Sequence, residues 1–294
     1  MKAVIFGGSG FLGSHIADTL TERGYKVMIF DIKHSEYLSP GQEMLIGDIM
    51  DSQRVMEAVR GCDYVYNFAG ITDLDNAGTA SIGTIDQNIM GNANILEAAR
   101  MAKVKRFVYA STIYVYSNKG GFYRCSKQAA ESYIEEFQRK YGLPFTILRY
   151  GTLYGPRADL RNSIYRYVHQ ALKDGRICCS GSEEALREYI HVKDAAKLSV
   201  DILEELYKNQ YIIISGHHPI KFIDLLGIIE EICNNKIEIK FSGTEDNDHY
   251  NATPFSFTPK LGNKLTTNYY TDIGQGILGV LEEVFRKLNS DKGK

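Results

Sequence analysis

The fold is decided by the stretch AVIFGGSGFLG, residues 3–13. Its first four residues are apolar and predict a buried strand, whereas the residues from Phe11 onward predict a helix. Gly7, Gly10 and Gly13 lie at this junction, where one permits a tight turn, one lets a pyrophosphate approach the backbone and one lets the helix pack on the strand. The helix N-terminus offers free N–H groups and a positive dipole end to phosphates. The stretch therefore predicts a dinucleotide-binding loop.

Short apolar runs alternate with helical patterns through the first half of the chain. The predicted strands are residues 3–6, 26–30, 44–46, 64–67, 106–110 and 144–149. The predicted helices are residues 11–23, 52–60, 81–103 and 123–141. Continuous apolar strands separated by helices predict an α/β fold, a Rossmann-type doubly wound parallel sheet covered on both faces.

The pattern loosens after about residue 155. The predicted helices of this half are residues 160–174, 193–207, 221–234 and 272–288, and its predicted strands are residues 211–214 and 237–241. We interpret it as a smaller C-terminal α/β domain that folds against the carboxyl edge of the sheet. The predicted division is a dinucleotide-binding domain over residues 1–155 and a mainly substrate-binding domain over residues 156–294, with parts of later segments returning to the sheet.

The composition is that of an ordinary globular protein, with 294 residues, 44% of them hydrophobic, and a net charge of −2. Such a charge gives no general attraction to nucleic acid or to anionic membranes. Five cysteines without a Cys-x-x-Cys pair predict a reduced, cytoplasmic protein whose cysteines are mostly small core residues. No metal is predicted, because His217 and His218 have no acid or cysteine at a ligand spacing.

Asp31 ends the second predicted strand, 24 residues after Gly7. This is near the spacing of about 20 residues at which an acid binds the adenosine ribose. A carboxylate accepts hydrogen bonds from both ribose hydroxyls and repels a 2′-phosphate. The sequence therefore predicts NAD, in preference to NADP, as the cofactor.

Tyr123 and Lys127 are four residues apart, a spacing that places both on one face of a helix. A free tyrosine has a pKa of about 10, too high for a general base at neutral pH. A nearby ammonium group, together with the positive nicotinamide ring, is expected to lower that pKa. Thr112 ends the fifth strand, and its hydroxyl can hydrogen-bond a substrate oxygen. These three residues predict a catalytic site at the carboxyl edge of the sheet.

At this point the chain resembles the extended short-chain dehydrogenase/reductase family, in particular its NAD-dependent nucleotide-sugar epimerase/dehydratase group. The matching segments follow the family's order and cover most of the chain: residues 7–13, Asp31, residues 47–49, residues 67–70, Asn88, residues 111–112, 123–127, 148–150, 154–157 and 187–192.

The resemblance implies a role for each matching position. Asp48 and Ile49 would flank the adenine, and Arg187 would pair with the substrate diphosphate. The implied cofactor contacts are Gly7, Gly10, Phe11, Leu12, Gly13, Asp31, Ile32, Asp48, Ile49, Phe68, Ala69, Gly70, Asn88, Tyr123, Lys127 and Tyr150. The implied substrate contacts are Thr112, Ile113, Tyr114, Thr152 and Arg187. A homodimer joined through the helices around residues 81–103 and 123–141 is also implied.

Three departures from the family pattern affect the function. Ile113 and Tyr114 follow Thr112 where dehydratases and decarboxylases of the group carry acidic residues, so both of those reactions are disfavoured. The loop of residues 117–122 is much shorter than in typical sugar epimerases. Thr152 stands where the family often has an asparagine that binds the substrate diphosphate.

The favoured function is a nucleotide-sugar epimerase that oxidises carbon 4 of the sugar transiently, with Tyr123 as the acid/base. The first alternative is a keto-sugar reductase or dehydrogenase with net NAD(H) turnover at the same site. The second is a non-catalytic protein that senses the dinucleotide, although such relatives commonly lack the Tyr/Lys pair.

Overall fold

A computed structural model describes residues 1–72, 81–234 and 237–241, together with Ala252 and Pro254. The predicted helix over residues 272–288 lies outside these residues. The strands are β1 Lys2–Phe6, β2 Lys26–Asp31, β3 Gln42–Ile46, β4 Tyr64–Asn67, β5 Arg106–Thr112, β6 Phe145–Tyr150, β7 Thr152–Tyr154, β8 Arg176–Cys179, β9 Leu186–His191, β10 Gln210–Ile214, β11 Pro219–Lys221 and β12 Glu238–Phe241. The helices are α1 Phe11–Glu22, α2 Ser52–Val59, α3 Ser81–Thr84, α4 Gly91–Met101, α5 Gly121–Tyr141, α6 Ser163–Asp174, α7 Val192–Asp201 and α8 Phe222–Ile232.

Seven strands form one sheet in the order β10-β6-β5-β4-β1-β2-β3, and every neighbouring pair is parallel. The register places Phe6 opposite both Phe30 and Asn67, so β1, β2 and β4 end side by side. Thr112 lies opposite Tyr150 in the same way. The loops that leave these strands therefore share one edge of the sheet, where ligands of open α/β sheets bind.

Helices cover both faces of this sheet, as the alternating pattern predicted. Ile16 and Leu20 of α1 pack with Ala195 and Val200 of α7 in the apolar cluster on one face. The cluster on the other face joins α2, α4 and α5, with Ile95 at its centre. The predicted doubly wound Rossmann-type sheet is confirmed.

Segments beyond residue 155 contribute to the large sheet as well as forming smaller ones. β10 is an edge strand of the large sheet, and α7 packs against α1. β11 pairs antiparallel and β7 parallel with β9, whereas β12 pairs with β8. A separate apolar cluster is centred on Tyr167, Ile177 and Phe222. The division at residue 155 stays a prediction.

The helix predicted over residues 81–103 is confirmed as far as Met101, as α3, a π-helical segment over Ile85–Met90 and α4 in direct succession. A second predicted helix was too long. The helix predicted over residues 193–207 ends at Asp201, because Glu204 has an extended ψ of 149° that turns the chain toward β10. β7 and β11 are three residues long and were not predicted as strands.

The expectation that most cysteines are core residues was also wrong. Cys62 and Cys179 are buried, whereas Cys125 and Cys178 are exposed and Cys233 is half-buried. All five are free thiols. Within the part of the chain that the structure describes, no helix has the length and apolar character needed to span a membrane.

Candidate active site

The predicted site residues lie along one cleft of about 1060 Å³ at the carboxyl edge of the large sheet. Every residue predicted to contact cofactor or substrate lines this cleft except Asn88: Gly7, Gly10, Phe11, Leu12, Gly13, Asp31, Ile32, Asp48, Ile49, Phe68, Ala69, Gly70, Thr112, Ile113, Tyr114, Tyr123, Lys127, Tyr150, Thr152 and Arg187. Residues that are distant in sequence therefore converge as the strand–helix pattern predicted.

The glycine loop between β1 and α1 is built for close backbone approach. Gly7 has a φ of +78°, and a Cβ there would lie 2.7 Å from the backbone nitrogen of Ala69. A Cβ on Gly13 would lie 2.3 Å from the carbonyl oxygen of Gly7, so only glycine lets α1 pack this closely. Gly10 caps α1 without a side-chain hydrogen bond, which leaves first-turn N–H groups for an anion. The loop fits a dinucleotide pyrophosphate.

Asp31 is fixed at the end of β2 by backbone donors. The Ser9 N–H donates to its Oδ2 at 3.0 Å, and the Lys33 N–H donates to Oδ1 at 3.4 Å. Each carboxylate oxygen accepts more than one hydrogen bond, so capacity for ribose hydroxyls remains. Asp31 therefore also ties the glycine loop to β2, a role that the sequence did not reveal.

Replacing Asp31 by asparagine is expected to reduce the preference for NAD over NADP by at least about tenfold, because the repulsion of a 2′-phosphate is lost. The amide oxygen still accepts from Ser9, so the loop should keep its conformation. Binding of NADH and NADPH, followed by nicotinamide fluorescence, checks this. Asp31→Ala is the comparison and should weaken both cofactors. An unchanged ratio in the asparagine variant would contradict the predicted role.

Aromatic and apolar side chains form the cleft next to the ends of β3, β4 and β6. Phe68 stacks near Tyr66, with centroids 6.0 Å apart, and tilts against Tyr150 at 6.2 Å. The Tyr150 hydroxyl is 2.6 Å from the Ser199 Oγ, and burial raises the pKa of this phenol. Ile49 is buried against Gly91. These contacts fix the walls of the cofactor end.

Asn88, which does not line the cleft, connects two of the segments that do through hydrogen bonds. Its Oδ1 accepts from the Ile71 N–H at 2.8 Å, and its Nδ2 donates to the Ile71 carbonyl at 3.0 Å and to Ser126 Oγ at 2.8 Å. Ser126 in turn donates to the Tyr123 carbonyl at 2.8 Å. Asn88 thus joins the loop after β4 to the first turn of α5. Its predicted direct contact with the cofactor stays a prediction.

The three predicted catalytic residues meet at the centre of the cleft. Lys127 Nζ donates to the Ala110 carbonyl at 2.7 Å and lies 5.8 Å from the centroid of the Tyr123 ring. The Thr112 side chain is hydrogen-bonded to the Tyr123 phenol. The same ammonium lies 4.7 Å from the Tyr109 ring centroid. Lys127 is therefore fixed between β5 and Tyr123, the predicted catalytic tyrosine.

The predicted lowering of the Tyr123 pKa is not produced by the side chains of the chain alone. Burial raises the pKa of Tyr123 to about 12, against an opposing hydrogen bond from Thr112. Burial also lowers the pKa of Lys127 to about 8, against the opposing charge of Glu131. These two pKa shifts arise because both groups are shielded from water and because the Lys127 ammonium donates its hydrogen bond to the Ala110 carbonyl. The phenol is therefore held protonated at neutral pH.

The other end of the cleft is rich in arginine. Arg187 of β9 lines it as predicted, and Thr152 lies on the neighbouring strand β7. Arg161 and Arg166 also line the cleft, although sequence reasoning gave them no role, whereas Arg157 pairs with Asp18 of α1. Guanidinium groups suit phosphates and carboxylates. This end therefore fits an anionic part of a ligand.

Comparison with known proteins agrees with this geometry. Residues 3–214 match the sequence profile described as the NAD dependent epimerase/dehydratase family. The chain is 28% identical over 264 residues to the UDP-N-acetyl-alpha-D-glucosaminuronate decarboxylase of Bacillus cytotoxicus, covering 81% of this chain and 82% of that protein. It is 28% identical over 262 residues to a Methanocaldococcus jannaschii protein provisionally named UDP-glucose 4-epimerase, covering 82% and 83%.

The fold is shared with solved structures. The Thermotoga maritima UDP-glucose 4-epimerase, solved with UDP-glucose, superposes with a TM-score of 0.81 at 24% identity, over 88% of this chain and 90% of that one. The family match spans β1 to β10, which includes the glycine loop, Thr112, Tyr123 and Lys127. The chain therefore belongs to the NAD dependent epimerase/dehydratase family.

Proposed function

We propose that this protein is an NAD-dependent nucleotide-sugar 4-epimerase in which Tyr123 is the acid/base. The observation that carries the proposal is the convergence of Thr112, Tyr123 and Lys127 between a glycine-loop cradle and an arginine-rich end of one cleft. The cradle fits a dinucleotide, and the arginines fit a substrate diphosphate. Family membership supports the nucleotide-sugar substrate class.

NAD, when bound, supplies a reversible hydride acceptor and a positively charged ring. The phenol oxygen of Tyr123 takes the proton from the 4-hydroxyl of the sugar and returns it after the sugar has rotated. The Thr112 hydroxyl, hydrogen-bonded to that phenol, orients the reacting oxygen. The Lys127 ammonium favours the phenolate form by its charge. Glycine-loop N–H groups and Asp31 hold the cofactor in place.

The residues after Thr112 favour epimerisation over elimination or decarboxylation. Ile113 is fully buried, and Tyr114 lines the cleft, so this strand end brings no carboxylate to the sugar. Epimerisation at carbon 4 needs only one acid/base group, which Tyr123 provides. A keto-sugar reductase would use the same residues but would consume the reduced cofactor.

The test is turnover of a panel of UDP- and dTDP-hexoses and UDP-hexuronates by the purified protein with NAD, with products identified by NMR. The proposal predicts interconversion of 4-epimers with no net change in nicotinamide absorbance. A 4-keto sugar that consumes NADH stoichiometrically would establish the reductase instead. Loss of carbon dioxide or of water as the only reaction would also contradict the epimerase.

Tyr114 is proposed to form the pocket wall that the short loop of residues 117–122 does not provide. Its ring lies edge-on to Tyr123, with centroids 6.5 Å apart, and packs where a Cβ on Gly120 would come within 2.7 Å. Tyr114→Ala is expected to raise the KM for the sugar nucleotide about tenfold, since one aromatic contact is lost. Tyr114→Phe keeps the ring and should keep KM. Equal KM values for the alanine variant and the wild type would contradict this role.

A homodimer is proposed to form through α4 and α5. Met101 and Tyr133 on these helices are both at least half exposed, as is expected of a surface that another copy covers. Light scattering of the purified protein tests this. A mass of about 66 kDa, twice that of the 33.1 kDa chain, is expected, and a mass of one chain over the micromolar range would contradict it.

A further inference from the structure

We propose that Glu131 is a positioning residue, which is the buried counter-charge of the Lys127 ammonium on the same helix and is itself fixed by Arg149 and Ser111. The proposal rests on the proposed function, since it assigns Glu131 a part in the same site. Glu131 lies one helical turn after Lys127 on α5 and is 6% exposed. Sequence reasoning gave it no role.

The Glu131 carboxylate is held from two strands at once. Arg149 of β6 donates to it through Nε at 3.1 Å and Nη2 at 2.6 Å, a two-pronged ion pair. Ser111 of β5 donates to Oε1 at 2.5 Å. Buried charges with this many hydrogen bonds are tightly fixed. Glu131 therefore has one position relative to both strands.

The same contacts reach the residues that do the chemistry. Ser111 directly precedes Thr112, and Arg149 directly precedes Tyr150, which lines the cleft. Arg149 Nη1 also donates to the Tyr116 hydroxyl at 2.5 Å, in the turn that follows Thr112. The Glu131 cluster, which comprises Ser111, Tyr116, Glu131 and Arg149, thus joins α5 to the end of β5 and to β6. Loss of the Glu131 cluster would make the distances within the catalytic site more variable.

Among the proposed catalytic groups, Lys127 is the one on which the charge of Glu131 acts most strongly. Within the described residues, the structure places four polar groups near the ammonium: Tyr123 and Glu131 from α5, and Tyr109 and the Ala110 carbonyl from β5. Among them only Glu131 carries a negative charge, and its charge raises the pKa of Lys127 against the effect of burial. Without it, Lys127 loses its proton at a lower pH and no longer favours the Tyr123 phenolate.

The test uses the double variant Glu131→Gln/Arg149→Met. Removing Glu131 alone would leave the Arg149 guanidinium buried and unpaired, which threatens folding. The double change removes both charges, and the glutamine oxygen still accepts from Ser111. Arg149→Lys keeps both charges while it loses the two-pronged geometry. The matched control is Glu136→Gln, which breaks an exposed ion pair with Arg139 on the same helix.

Two readouts are measured, the first on NAD-free protein, in which the reagent can reach Lys127 through the cleft, and the second on NAD-loaded protein. Competitive acetylation by acetic anhydride, followed by mass spectrometry, gives the pH at which Lys127 loses its proton. The proposal predicts a fall of about one pH unit or more in the double variant, because Glu131 is the one of the two removed charges that acts on Lys127. It also predicts that, on the alkaline side of the pH profile, kcat of the double variant falls at a lower pH than kcat of the wild type. At pH 8 the kcat of the double variant should be about tenfold lower than that of the wild type, with KM nearly unchanged. Arg149→Lys and Glu136→Gln should keep the wild-type titration.

A folded double variant with the wild-type Lys127 titration and the wild-type pH profile would overturn the proposal and reduce the cluster to a structural ion pair. The acetylation readout does not need turnover. A wild-type protein that turns over no nucleotide sugar, yet shows the shift in the double variant, would contradict the proposed function and not the role of Glu131.

Discussion

Replacing Tyr123 by phenylalanine is expected to lower kcat for 4-epimerisation by about 10²- to 10⁴-fold, the range of a lost general acid/base. The phenyl ring keeps the contacts of the tyrosine with its neighbours, so folding and NAD retention should persist. Ile113 and Tyr114, which follow Thr112, carry no carboxylate that could replace the phenol as proton acceptor. Steady-state kinetics on the purified variant, with bound NAD quantified after denaturation, checks the expectation.

The matched control is Tyr133→Phe, which removes the hydroxyl of a half-exposed tyrosine on the same helix α5. It should leave kcat and KM unchanged. A Tyr123→Phe protein with more than about a tenth of wild-type kcat, a far smaller loss than general acid/base catalysis accounts for, would exclude Tyr123 as the acid/base.

Replacing Gly13 by alanine is expected to weaken NAD binding by about 10- to 100-fold. The added Cβ would lie 2.3 Å from the Gly7 carbonyl oxygen and 2.9 Å from the Gly8 Cα, and neither backbone atom can move without displacing the loop. The first turn of α1 would shift away from the pyrophosphate that it is proposed to bind. Isothermal titration of the apoprotein with NAD measures the effect.

Gly227→Ala is the control for this change. Gly227 lies within α8, and a Cβ there would meet no described atom within 4 Å, so alanine should be neutral or slightly stabilising. If Gly13→Ala binds NAD as tightly as Gly227→Ala does, the glycine loop is not the cofactor cradle.

The sheet and the convergence of the candidate site residues could be predicted because their signals are local. Each strand is a short apolar run, and the glycine loop, Asp31 and the Tyr123–Lys127 pair depend on spacing within one loop or one helix turn. Parallel strand order then brings their ends together. The same logic located Thr112 at the edge of the sheet.

The supporting residues could not be predicted because their partners are distant in sequence. Glu131 is an ordinary polar residue of a helix until β6 brings Arg149 against it, and Asn88 depends on a loop 17 residues earlier. The pKa of Tyr123 in the protein without its cofactor is a related case. Spacing places an ammonium near the phenol, but burial, which spacing does not report, has the larger effect. The short strands β7 and β11 both pair with β9, and β8 pairs with β12. Each of these pairings depends on a segment that is distant in sequence.

The most direct test of the central claim, reversible oxidation at the carbon beside Tyr123, is the fate of deuterium at carbon 4. A 4-deuterated nucleotide hexose that the panel identifies as a substrate is incubated with the NAD-loaded protein in ordinary water, and the 4-epimer is analysed by NMR and mass spectrometry. The account predicts a product that retains its deuterium at carbon 4, together with product formation by Tyr123→Phe that is about 10²- to 10⁴-fold slower. Deuterium replaced by solvent hydrogen, or full turnover by the phenylalanine variant, would contradict it.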